Sequence, residues 1–468
     1  MLNRGLSQIG LRILDRATDA YPHAAPRFFE RSFVGIFGSH AVASYVLRKY
    51  RKQWERIEAD LKGPCKILLV VDVCIGDTVL ASECLPAIQA AFPNAEVHFV
   101  CNRIGGELIA GKPGVHVHNF VTGDRGFPTE GDLDCLRELI SKESFAVILN
   151  LGPFLDARRL PEPARVMQLY VPFAAYILRA WKAKGRRHIS YYARAYITDF
   201  LGGRGKIVER NTFEEPALSL NTNTVYLSRT SVETAKVFLN SHGLEPGYGL
   251  IFLNPDATSQ FGQIPFDVQA RLLLHCTGLD VVRAVLLGKA YSNTGVEERL
   301  MAQLPKRLQQ KIVIVPHMPI EVYTALIDAC DMFISGDTGP LHISACRKWI
   351  ADDAGFTPMR NKTMILAIYG ATDSRMYGYD SEQPHHVPAN QDAPSRSFSA
   401  PAPCRNISCI NKFGKSCNEV RCFDGLSVGE IAEYITSHFN RRTMPDALVQ
   451  ISTPPITITV KPKREYAF

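Results

Sequence analysis

Residues 66–100 read KILLVVDVCIGDTVLASECLPAIQAAFPNAEVHFV. An apolar β-type run ends at Val73, a short Cys-Ile-Gly-Asp turn follows, a segment of helical period continues to Phe92, and a second apolar run opens at Ala95. This predicts a strand–turn–helix–strand unit. The unit repeats, with VHVHNFV (115–121) and FAVILN (145–150) as further strands and helical segments over 105–110 and 132–142. Nearly continuous apolar strands alternating with helices predict a parallel sheet covered on both faces.

Outward from this unit, a second series begins at Leu250. LIFLN, VVRAVLLG, KIVIV, MFISG and MILAIYG alternate there with helical segments at 266–276, 295–304 and 320–329. The predicted fold class is α/β, with two Rossmann-like domains whose parallel sheets face each other across a cleft. Ligands of open parallel sheets bind beyond the C-terminal strand ends, so the cleft is the expected site. The expected boundaries are a helical, basic extension over 1–62, a first domain with a basic connector over 63–248, a second domain over 249–440, and a tail over 441–468. The stretch 389–403 (ANQDAPSRSFSAPAP) reads as a loop.

With 468 residues, 46% of them hydrophobic, the chain can bury two cores. The net charge of +7 is local in origin: residues 151–210 hold twelve Lys/Arg against four Asp/Glu. Within that region, 166–200 mixes aromatics, aliphatics and a KAKGRR run, which fits an anionic membrane surface, a phosphorylated glycolipid, or helices with a solvated basic rim. No nucleic-acid-binding module accompanies it, and nucleic acid is not an expected partner. The N-terminus lacks the uninterrupted apolar core of a secretory signal, and no apolar run approaches the roughly 18–20 residues of a membrane span. Most of the twelve cysteines are scattered singly through apolar segments, as reduced buried thiols would be. A cytoplasmic protein is expected, with peripheral contact at the inner membrane.

Two loops carry the chemistry. The first, CIGDTVLAS, puts Gly76, Asp77 and Thr78 between the first strand and its helix, where Asp77 reads as an N-cap or as a functional carboxylate. The second, ISGDTGPLHISA, ends a strand in Gly336-Asp337-Thr338-Gly339-Pro340 before a helix that carries His342. Small residues and Pro at a strand–helix junction let backbone N–H groups and the helix dipole approach an anion such as a diphosphate.

These blocks, together with LIFLNPDATSQ, LLGKAYSNTGVEERL and ILAIYGATDSRMYGY, occur in the order and spacing of glycosyltransferase family 9. The chain therefore resembles the ADP-heptose:lipopolysaccharide heptosyltransferases over about 66–121 and 248–379, and more weakly to about 435. The resemblance implies a GT-B fold, with an acceptor-binding first domain and a second domain that holds a nucleotide-sugar. It implies inverting sugar transfer to a glycan or glycolipid without a metal or other catalytic cofactor, with Asp77 as general base and Gly76 and Thr78 in the acceptor-side loop. On the donor side it implies Asp337, Thr338, Gly339, Pro340 and His342 at the diphosphate, Thr258 nearby, and Glu297 or Glu298 at the ribose. Two family cations are missing, since Gly262 and Val71 occupy their places; Lys289 and Arg375 are the candidate replacements. A non-catalytic sugar-nucleotide-binding homologue and a nucleotide-sugar epimerase are the alternatives. The stretch 347–362, where the family has a short turn, reads as an inserted loop.

Cys404, Cys409, Cys417 and Cys422 form a C-x4-C-x7-C-x4-C series. A four-thiolate zinc or iron site and plain structural thiols both fit this spacing, which lacks the paired C-x2-C of zinc knuckles. Metal analysis of the purified protein separates the two: about one zinc or iron per chain for a bound site, and none for plain thiols.

Overall fold

The structure is a computed structural model describing residues 61, 63–71, 74–120, 129–152, 159–161, 165–169, 197, 223–247, 249–257, 262–288, 295–353, 355–359, 362–381, 394–401 and 421–442. The expected N-terminal extension apart from Leu61, most of the basic connector, the tail beyond Arg442, and Cys404, Cys409 and Cys417 lie outside these residues.

The first unit runs β1 (Cys65–Val71), α1 (Ile75–Ala81), α2 (Cys84–Ala91), β2 (Ala95–Asn102), α3 (Arg103–Ile109), β3 (Val115–Phe120), α4 (Glu130–Glu143), β4 (Val147–Asn150) and β5 (Val166–Gln168). Its five strands form one parallel sheet in the order β3-β2-β1-β4-β5. Alternate residues of β1 bury on opposite faces: Ile67 and Leu69 join one apolar cluster, and Leu68 and Val70 the other. Such two-sided burial requires the unbroken apolar run seen in the sequence. The chain adds β2 and β3 on one side of β1 and then crosses to β4 on the other, so the order reverses beside β1. The loop after β1 therefore opens at a topological switch point.

The second unit runs β6 (Thr224–Ser228), α5 (Arg229–Ser241), β7 (Leu250–Asn254), α6 (Phe266–Gly278), β8 (Ala284–Gly288), α7 (Val296–Ala302), α8 (Lys306–Gln309), β9 (Ile312–Val315), α9 (Ile320–Asp328), β10 (Met332–Ser335), α10 (Gly339–Ala345), β11 (Arg347–Asp352), β12 (Gly355–Met359), β13 (Met364–Tyr369), α11 (Ser374–Tyr377), β14 (Ser395–Ser399) and α12 (Val428–Arg442). Six strands form a parallel sheet ordered β14-β13-β10-β7-β8-β9, which reverses between β7 and β10. The loop after β10 opens at this second switch point.

Three local expectations are corrected. The inserted stretch 347–362 is not a loop: β11 and β12 form an antiparallel hairpin, and β11 pairs in parallel with β6 to make a separate three-stranded sheet. Lys348 of this hairpin is buried; its ammonium lies 3.1 Å from Asp328 and donates to the carbonyl of Ser344 near the C-terminal end of α10, where a cation is favoured. Within 389–403, residues Ser395–Ser399 form a sixth strand against β13. Their polar composition suits a sheet edge, which exposes part of its surface to water. Finally, Asp77 is the third residue of α1, whose N-cap is Cys74.

β6 and α5 lie before the expected boundary at 248, yet Val225, Leu227, Ala235 and Leu239 share an apolar cluster with Leu250, Phe252 and Tyr323. We propose that the second unit begins near Asn223. The same cluster takes in Val79 of α1 and Leu108 of α3, which ties the two units together.

On the face of the first sheet covered by α4, His118 Nε2 lies 2.8 Å from His98 Nδ1, and His98 Nε2 lies 3.0 Å from Glu96 Oε1, which is 3.3 Å from His116 Nε2. Burial, then the neighbouring His118 and His116, lower the pKa of His98 to about 4 against the pull of Glu96. The unfolded chain binds this proton near 6.5 while the folded chain does not, so the contribution to stability is complete above about pH 6.5 and is lost as the pH falls toward 4. Denaturant midpoints measured from pH 7 to 4 are expected to fall over that window, and His98→Gln to flatten the slope.

Candidate functional site

The two switch-point loops meet. α1 packs its first turn on the first turn of α10 so closely that a Cβ on Gly76 would lie 2.9 Å from the His342 ring, and one on Gly339 would lie 2.4 Å from the Ile75 side chain. Only glycine fits at either place without a shift of the His342 ring or the Ile75 side chain. The N-terminal ends of two helices, each with partial positive charge, are thereby brought together.

Asp77 lies in the first turn of α1, exposed, and among the described residues nothing pairs with its carboxylate. Thr78 is buried: its hydroxyl donates to the Cys74 carbonyl (3.1 Å) and accepts from Asn102 Nδ2 (2.7 Å). Asn102 also caps α3 by accepting from Gly105 N–H (2.8 Å), so one side chain fixes the starts of α1 and α3. Sequence reading passed over Asn102 because its partners come from another helix.

On the opposite side, Thr338 is the N-cap of α10 and accepts from Leu341 N–H at 3.4 Å. Its hydroxyl also lies 2.9 Å from Ser335 Oγ and 3.3 Å from Asn254 Nδ2. Asn254, at the end of β7, donates further to Ser335 Oγ and the Asp256 carbonyl and accepts from the Tyr323 hydroxyl at 2.9 Å. Thr338 is thus built into the loop's support. Pro340 follows within the first helical turn, where its missing N–H costs nothing.

Asp337 accepts from Thr372 Oγ1 (2.7 Å) through Oδ2, and its Oδ1 lies 3.3 Å from His342 Nε2. His342 Nδ1 is 3.0 Å from the hydroxyl of the fully buried Tyr379. Burial raises the Tyr379 and Tyr369 hydroxyls well above their ordinary range, and it also pushes up the Asp256 carboxyl despite the opposing Ala257 N–H. Tyr323 lies outside the blocks quoted from the sequence, and Asn254, Thr372 and Tyr379 lie inside two of them, but their partners come from other segments of the chain and no spacing within a block encodes them.

Of the other candidates, Glu297 is fully buried in the first turn of α7, whereas the adjacent Glu298 is exposed. Thr258 and Lys289 lie outside the described residues, and only the backbone of Arg375, in α11, is described. Gly262 passes its carbonyl across Gly336, where a Cβ would be 2.0 Å from the Gly262 oxygen. Val71 is buried in the sheet. Cys422 is buried as well, and among the described residues no group of three or more His, Cys, Asp or Glu is arranged to hold a metal. No helix among them is long and apolar enough to cross a membrane.

Residues 273–351, from α6 through β11, match the family model described as glycosyltransferase family 9 (heptosyltransferase). The chain has the GT-B fold and resembles glycosyltransferase family 9. The fold is shared with the ADP-heptose lipopolysaccharide heptosyltransferase II of E. coli, at a TM-score of 0.53 and 14% identity over 81% of this chain and 99% of that one. It is shared equally with a family 9 glycosyl transferase of Veillonella parvula DSM 2008, at a TM-score of 0.54 and 14% identity over 81% of this chain and 98% of that one. No curated protein matches the sequence. The family 9 match takes in Asp337, Thr338, Gly339, Pro340 and His342, so the sequence signal and the second switch point coincide.

Asn254→Ala removes the hub beneath this loop and leaves buried groups on β10, α9 and Thr338 without their partner. A loss of about 2–4 kcal/mol in unfolding free energy is expected, read by chemical denaturation.

Proposed function

We propose that this protein is an inverting glycosyltransferase. It moves a heptose or related sugar from a nucleotide-diphosphate donor of the ADP-heptose kind to a lipopolysaccharide-type glycan or glycolipid acceptor. The observation that carries the reading is the meeting of α1 and α10, with the unpaired carboxylate of Asp77 beside two converging helix starts.

In this reading the acceptor hydroxyl approaches from the first unit and loses its proton to Asp77 as its oxygen attacks the anomeric carbon. The diphosphate departs from the opposite face toward the start of α10, where the helix dipole and the Gly339 N–H stabilise the growing charge. These dipoles supply part of what a metal would, and the proposed chemistry is metal-independent. Gly339 is suited to the anion side because it has no side chain to hold the ligand off its backbone. Pro340 presets the helical turn, and Glu298 is the acidic residue positioned for a ribose hydroxyl. The basic connector would bring the protein to the cytoplasmic face of an anionic membrane, where a glycolipid acceptor is found.

A second reading, a sugar-nucleotide-binding protein without catalysis, is favoured by Gly262. The loop that runs across Gly336 presents a backbone carbonyl where the resembling family has a cation. Donor hydrolysis distinguishes the two, because an active transferase slowly releases nucleotide diphosphate to water.

Thermal-shift titration with ADP, GDP, UDP and ADP-heptose tests the shared premise, because a ligand of the folded state raises the melting temperature with the logarithm of its concentration. One nucleotide is expected to stand out. Asp77→Asn is then expected to keep that shift while lowering transfer or donor hydrolysis about 10²–10⁴-fold. Undiminished turnover in Asp77→Asn removes it from the mechanism.

A further inference from the structure

The chain Thr372–Asp337–His342–Tyr379, with His342 and Tyr379 buried, leaves His342 no ring nitrogen for a ligand. Nε2 lies 3.3 Å from Asp337 Oδ1 and Nδ1 lies 3.0 Å from the Tyr379 hydroxyl. The chemistry of the partners assigns the protons. An ionised carboxylate only accepts, so Nε2 carries the hydrogen and donates to Asp337. In a neutral ring Nδ1 then holds a lone pair and accepts from Tyr379, a phenol that burial keeps protonated. Tyr379 is itself fixed: Ser397 Oγ donates to its carbonyl at 2.9 Å, and Ser397 N–H donates to the carboxylate of the next residue, Asp380, at 3.2 Å. The ring so oriented turns its Cδ2 edge to Gly76, beside the first turn that carries Asp77.

We propose that Tyr379 and Thr372 are positioning residues of the transfer site. Tyr379 holds His342 in the Nε2–H tautomer, Thr372 occupies the second oxygen of Asp337, and the locked ring sets the seat of the Gly76–Asp77 turn over the donor loop. Neither residue touches substrate; both act through His342. The functional half rests on the transferase reading above, whereas the tautomer does not.

The test labels histidine with 15N in the full chain, identifies the His342 resonances with His342→Gln, and reads the tautomer alongside turnover. Wild type is expected to show protonated Nε2 and unprotonated Nδ1. Tyr379→Phe is expected to mix the tautomers and lower transfer or donor-hydrolysis turnover about tenfold with little change in donor KM. Thr372→Val is expected to speed exchange of the Nε2 proton with water and to lower turnover likewise, with Thr372→Ser restoring both. Should Tyr379→Phe fail to fold, the Thr372 pair carries the test alone. A wild-type ring protonated at Nδ1, or variants with unchanged tautomer and exchange, overturns the proposal. A changed tautomer with unchanged turnover overturns its functional half. The predicted tautomer in a protein that no nucleotide diphosphate stabilises sinks the transferase reading and leaves the positioning of the loop intact.

Discussion

The contact of α1 with α10 is the constraint on which the rest of the architecture turns. Two parallel sheets each reverse their order beside a central strand, and the helices leaving those reversals touch through glycines, Gly76 on the His342 ring and Gly339 on the Ile75 side chain. A methyl group at either position would press against the facing helix. Helix starts normally shed their partial charge into water or onto a cap. Held together by the apolar seam through Val79 and Leu108, these two share a small volume instead.

Close approach of this kind needs stiff support, and the second unit supplies it in layers. Asn254 and Tyr323 brace the Thr338 cap from the neighbouring strand and helix, while Lys348, donating to the Ser344 carbonyl, pins the far end of α10 to the hairpin. The buried Lys348–Asp328 pair contributes little net stability by itself, because desolvation offsets most of its attraction. Its effect is geometric: it fixes the hairpin to the end of α9, while the same ammonium, donating to the Ser344 carbonyl, holds the C-terminal end of α10.

What was legible in the sequence follows from this layering. The apolar runs of β1, β7, β8, β10 and β13 could be read directly, because strands buried on both faces tolerate no polar interruption. The hairpin could not: RKWIAD becomes a strand through pairing with the distant β6 and GFTPM through pairing with RKWIAD, and neither run has the apolar continuity of a central strand. β14 was missed for the same reason, its SRSFS being an edge strand whose one neighbour is β13. The turn CIGD was read as preceding its helix, whereas extended Cys74 starts α1 without a side-chain cap and moves Asp77 inside the first turn. At the site, the GDTGPLH block was visible, but the division of labour within it was not. Hydrogen bonds to Thr338 and Asp337 come from β7, β10 and the segment after β13, and no spacing within the block encodes them.

That division of labour bears on a difficulty peculiar to this chain. A carboxylate beside a bound diphosphate is repulsive, and here the block carries Asp337 while Gly262 and Val71 stand where the resembling family has cations. Both Asp337 oxygens face donors, Thr372 on one side and the His342 ring on the other, so its lone pairs are engaged by the protein. Its negative charge is thus turned into the scaffold that orients the loop, and at the start of α10, where Pro340 has no N–H and Leu341 N–H is held by Thr338, Gly339 is the residue whose N–H suits an anion. In the proposed reading dipoles contribute part of the stabilisation of an anion, and dipoles act only over short distances. This gives a physical reason for the loop to be braced so heavily and for glycine to occupy both sides of the contact.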